Sequence, residues 1–256
     1  MLIIRKEQKK VFEEEALKKY EDEMLDNLKI FAPKLFNIRG ELCFRELIRL
    51  GIKRAEQYGL TNRGPIRFYI ETMISLGCDF DTDPQFPWAE KILNESNINQ
   101  MIHADKLYKS VVKYMHTCVG HENQYAISAL QRTSDSENFL HKVSSTDFTG
   151  SCLNILFEIH PEKFEYVGEK QLIKLIDKST RITQNYRIDS TQGKAFIVVL
   201  MFALGHGILN DVLYPWVKNT MENSGIEQSE DRIKRLYSKT RVYFDATLKH
   251  LIENTG

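Results

Sequence analysis

The chain carries no excess charge of either sign: 35 Lys plus Arg balance 35 Asp plus Glu among 256 residues. That balance removes any general electrostatic pull toward nucleic acid or an anionic membrane surface. Long hydrophobic runs are also missing. The longest, Ala195 to Leu204, is about half of the ~20 residues a membrane span needs, so a buried core helix is expected there. The opening MLIIRKEQKK turns to charge after three apolar residues and lacks both the apolar region and the cleavage site of an export signal, which predicts a cytoplasmic protein. Cysteine is sparse. Cys43, Cys78, Cys118 and Cys152 lie far apart with no C-x-x-C, which argues against a zinc site and a disulfide framework and for reduced, buried thiols. With 42% hydrophobic residues, the chain has enough apolar surface to fold.

Catalytic patterns are equally absent. Ser75, Ser151 and Ser190 lack a G-x-S-x-G context, and no glycine-rich phosphate loop occurs. His116, Cys118 and His121 lie together in HTCVGH, but their spacing matches neither H-E-x-x-H nor a zinc finger. Arg232, Lys234, Arg235, Lys239 and Arg241 interleave with apolar residues at helical spacing, which describes a solvated helix face. No cofactor, metal or catalytic residue is therefore assigned.

What the sequence does contain is an internal repeat. Gly40, Leu47, Tyr58, Met73, Gly77, Asp83, Pro87 and Trp88 find the same residues 128 positions on, at Gly168, Leu175, Tyr186, Met201, Gly205, Asp211, Pro215 and Trp216. Leu107 and Tyr108 match Leu236 and Tyr237 one residue later. Both tryptophans of the chain fall on one equivalent position. Register of this kind predicts a tandem duplication.

Each copy has a helical period and no alternating strand pattern. Leu17, Tyr20, Met24, Leu28 and Phe31 recur at three- and four-residue steps, marking one face of a helix over 7–31. Further helices are expected over 41–58, from Asn62 to Gly77, from Trp88, and over 104–119. The second copy repeats the order over 150–159, 169–186, 190–205, 214–221 and 230–252. The stretch 132–149, rich in Ser, Thr, Asp and Asn, has the composition of a linker. The expected architecture is all-α, with two duplicated domains of about five helices each, over 1–135 and 136–256.

The most conspicuous polar cluster is Asp79, Asp81 and Asp83 in GCDFDTDPQFPWAE, with Glu90 beyond. Acids at alternate positions followed by a distant Glu imitate a calcium loop. Pro84, however, stands where that loop needs glycine, and the second copy keeps only Asp211, replacing the other acids by Gly207, Leu209 and Lys218. Asp83, Pro87, Trp88, Asp211, Pro215 and Trp216 are therefore expected to build a structural loop, and Asp79, Asp81 and Glu90 to recognise a partner.

IRKEQ at the start, YEDEM from Tyr20, YGLT from Tyr58 and DFDTDPQFPWA from Asp79 together resemble a family of bacterial proteins encoded beside type VI secretion spike, PAAR and toxic-effector genes. The resemblance is best up to Tyr114 and brings no catalytic residues with it. It implies a non-enzymatic binding protein for a secreted toxin, of the immunity type, or else an adaptor that loads an effector onto the spike. The expected partner is a protein, not nucleic acid or membrane. From a different class, a helical hydrolase or toxin with acids and histidines meeting between the copies stays open.

Overall fold

A computed structural model describes residues 6–96, 98–134 and 140–253, and among these residues the regular structure is entirely helical. The first half holds α1 (Lys6–Phe31), α2 (Pro33–Gln57), α3 (Arg63–Leu76), α4 (Pro87–Leu93), α5 (Gln100–Tyr114) and α6 (Gln124–Ser134). The second holds α7 (Phe148–Ile159), α8 (Pro161–Val167), α9 (Glu169–Asn185), α10 (Thr191–Leu204), α11 (Pro215–Met221) and α12 (Ser229–Glu253). No helix among the described residues is long and apolar enough to cross a membrane.

The helices follow from their apolar stripes. Met24, Leu25 and Leu28 bury one side of α1, and Phe44, Leu47, Ile48, Ile52 and Ala55 one side of α2. Helix α2 lies across α3 so closely that a Cβ on Gly51 would come within 2.4 Å of Ile70 Cγ1. Helix α10 is apolar nearly all round. Ala195 through Phe202 are all buried, which makes it the core helix the composition predicts. A single buried apolar cluster runs through both halves, taking in Phe44, Tyr69 and Phe86 together with Leu172, Phe202 and Leu236.

Two short helices were not expected. Residues 33–39 and α8 each open on a proline in the first turn and close on a glycine with positive φ, Gly40 at 78° and Gly168 at 81°. They are too short for a helical period to show. Helix α6 (Gln124–Ser134) also lies outside the expected elements and runs three residues into the stretch read as linker. Helix α5 passes into a π-turn over Met115–Val119, a widening often found beside functional sites.

Backbone geometry recurs at the same spacing as the sequence. Gly77 and Gly205, ending α3 and α10, have φ/ψ of 101°/149° and 99°/151°. Phe86 and Tyr214, preceding α4 and α11, have −124°/56° and −126°/51°.

Candidate functional site

The two loops that follow α3 and α10 meet at the junction of the halves. Gly77 and Gly205 abut: a Cβ on the first would sit 2.9 Å from Leu204 O, and on the second 3.1 Å from Leu76 O. Only glycine combines that φ with that approach.

Asp83 and Asp211, 128 residues apart in the sequence, lock this junction reciprocally. Asp83 accepts from the backbone N–H of Gln85 at 2.8 Å and, across the junction, from that of His206 at 2.7 Å. Asp211 accepts from the backbone N–H of Leu213 at 2.8 Å and, across the junction, from that of Cys78 at 2.9 Å. Each donor's counterpart in the repeat is the other's donor. Both carboxylates are buried; burial raises the pKa of Asp211. A buried carboxylate satisfied by backbone donors fixes a loop in place of secondary structure. Pro87 and Pro215 then start α4 and α11 in their first turns, while Trp88 and Trp216 pack partly buried against the core. All six residues lie in these two loops or in the first turns of the helices that follow them.

The acids unique to the first loop have a different environment. Of the three expected to face a partner, Glu90 is exposed, Asp79 is partly exposed and Asp81 is only 3% exposed. Asp81 Oδ2 accepts from the Tyr69 hydroxyl at 2.7 Å and the Tyr58 hydroxyl at 3.0 Å. Its Oδ1 lies 3.6 Å from the Arg54 guanidinium, which also pairs with Asp79 and donates to the carbonyl of Cys78. Burial first and the Asp81 charge second push both phenols well above their ordinary range, so they remain donors. Asp81 is therefore spent inside the fold.

Arg54, Tyr58 and Tyr69 were given no site role from the sequence, although the repeat holds a signal for Arg54 and Tyr69. The positions equivalent to Arg54, Tyr69, Asp79 and Asp81 are Ile182, Ile197, Gly207 and Leu209, so the polar set is replaced as a group. Gly207 also makes room for the other loop, since a Cβ there would fall 1.8 Å from Asp79 Oδ2. His206 is held between Thr82 Oγ1 and the carbonyl of Asp79, at 3.3 and 3.0 Å, and also touches the Lys178 ammonium. Asp83 holds the junction while Asp79 and Asp81 share Arg54, and among the described residues no group of three or more His, Cys, Asp or Glu could hold a metal ion.

A second feature is an asymmetry of cover. In the second half, Phe196 and Tyr237 stack at 5.3 Å and Phe196 is buried; Thr133 of α6 lines one recess with this pair and Leu140 another. The equivalent pair, Phe68 and Tyr108, meets edge to face at 5.7 Å, but Tyr108 is 55% exposed. Along α5, Met101, Tyr108 and Val112 are all exposed and stand at steps of seven and four residues, which puts them on one line of the helix. The charges beside that line neutralise one another: Asp105 pairs with Lys109 and Arg67 with Glu71, each at 2.7 Å.

No protein-family model, curated protein or solved structure matches the chain.

Proposed function

We propose that the chain is a tandem duplication of one helical unit, used as a non-enzymatic binding protein for a secreted bacterial toxin or effector, of the immunity type associated with type VI secretion. The duplication is supported by the recurring backbone angles at Gly77 and Gly205, and by the reciprocal roles of Asp83 and Asp211. The junction they lock gives a partner a rigid, preorganised surface to meet.

The observation that carries the binding reading is the uncovered line on α5. Where α6 and Leu140 border Phe196 and Tyr237, nothing comparable borders the equivalent pair: Phe68 is only partly buried, and Met101, Tyr108 and Val112 are exposed. Aligned apolar groups with a neutralised charged rim fit an apolar, helix-like surface of a protein partner. Glu90 and the outer edge of Asp79 add a small acidic contribution to recognition.

Co-expression with a toxin, should one be encoded beside this gene, should rescue growth and yield a stable complex. Tyr108→Asp combined with Val112→Asp should weaken binding at least a hundredfold with the melting temperature kept within a few degrees. Absence of both complex and protection sinks the reading. Copurification with a spike component, without protection, would favour the adaptor role instead.

A further inference from the structure

Beside the locked junction lies a cavity of about 320 Å³, bounded by the π-turn after α5, by α6, α8 and α10, and by the end of α12. Its walls are mostly apolar, with Val119, Leu130, Ile159, Phe202 and Phe244 among them. One cation lines it: Lys163, only 5% exposed. The Nζ donates to the carbonyl of Phe202 and sits 4.7 Å from the Phe202 ring centroid, with the rings of Tyr114 and Phe86 at 5.9 and 6.0 Å. Aromatic faces stabilise an ammonium, but they do not neutralise it.

An ammonium has three N–H donors, and only that to Phe202 has a hydrogen-bond acceptor here. Among the described residues, no carboxylate lies within ion-pair distance of Lys163. Burial lowers its pKa to about 8, so at neutral pH it stays mostly charged. The Asp83 charge offsets part of that burial, but a buried ammonium with no carboxylate at ion-pair distance is still expensive, and the equivalent position in the repeat does not keep one. The repeat places Leu35 at the equivalent point, packed against the core.

We propose that this cavity binds an apolar molecule ending in a single carboxylate, with the carboxylate against the Lys163 ammonium and the hydrocarbon along Val119, Leu130, Ile159 and Phe202. The volume falls at the lower end of the range for small-molecule sites, about 300 to 1,000 Å³, which suits a medium-length chain. Cys118 lines the same cavity, but burial pushes its thiol up to about 12, so it remains a neutral, unreactive part of the wall.

Calorimetric titration of the full chain with sodium decanoate and with decan-1-ol separates charge from hydrocarbon. Decanoate should bind once per chain, at least tenfold more tightly than the alcohol. Lys163→Met keeps the bulk and removes the charge; it should lower decanoate affinity to that of the alcohol and leave the alcohol unchanged. Ala126→Trp, filling the cavity from α6, should abolish binding of both while the circular-dichroism spectrum and melting transition persist. The second variant carries the test if the first does not fold. No binding to the unmodified chain overturns the proposal, as does equal decanoate affinity in either folded variant or binding at many equivalent sites.

Discussion

The loops over 77–88 and 205–216 share a frame and differ in their filling. Both leave a helix through a glycine of the same φ, both use an aspartate to hold one donor of their own and one of the other loop, and both re-enter a helix through proline. Inside that frame, the first loop encloses Arg54, Asp81, Tyr58 and Tyr69, while the second has Ile182, Leu209 and Ile197 at the positions of Arg54, Asp81 and Tyr69. An acid present in both loops therefore serves the junction. An acid present in only one serves a local partner. A buried ionic cluster and an apolar one can fill the same space, and the ionic version carries no necessary gain in stability.

The frame should be the costliest thing to break. Asp83→Ala leaves the buried N–H groups of Gln85 and His206 without their acceptor, and Asp211→Ala does the same to those of Leu213 and Cys78. At roughly 1–3 kcal/mol for each orphaned buried group, either change should destabilise the chain by about 3–5 kcal/mol in urea unfolding. The two costs should agree to within about 1 kcal/mol. A clearly smaller loss for one of them would mean that the lock is held from one side only.

Exchange of the filling comes next. Arg54→Ile strands Asp81 in the interior beside two phenols and should cost about 3 kcal/mol, the usual penalty for an uncompensated buried charge. Adding Asp79→Gly and Asp81→Leu copies the second loop into the first and should recover all but about 1–2 kcal/mol, the remainder reflecting the Tyr69 hydroxyl left without its acceptor. A triple variant as unstable as the single one would show that the two fillings are not interchangeable.

Much of this frame was legible without coordinates, because glycine, proline and aspartate at constant spacing have local conformational meanings that hold wherever they recur. The long helix α1 announced itself by period, and α9 followed from its place in the repeat. Residues 33–39 and α8 did not, being two turns or less, and α6 fell in a stretch whose polar end suggested a connection. The site was less legible. Asp81 looked like a surface acid until Arg54, distant in sequence, was seen beside it, and Lys163 in PEKFEY looks like an ordinary solvated lysine. The only sign that its position faces inward is its partner in the repeat, Leu35.

The smallest expected effect lies at the start of residues 33–39 and of α8, where the same turn is capped in one half and bare in the other. His160 Nδ1 accepts from the N–H of Lys163 at 3.3 Å, whereas Ala32, its equivalent before Pro33, has no capping side chain. Burial, followed by the neighbouring Lys163 charge, holds His160 at about 4 instead of 6.5. Between those values the unfolded chain binds a proton that the folded ring refuses. The stability that the neutral cap contributes is therefore whole above about pH 6.5 and drains away as pH falls toward 4. His160→Asn keeps an acceptor at the cap and removes the titration, so its urea midpoint should vary less with pH than that of the parent over this window. Ala32→Asn supplies the missing cap and should gain up to about 1 kcal/mol, by nearly the same amount at pH 7 and pH 5. A gain that itself followed the pH between 4 and 6.5 would mean that the two turns are coupled through the core, and not two independent copies of one local structure.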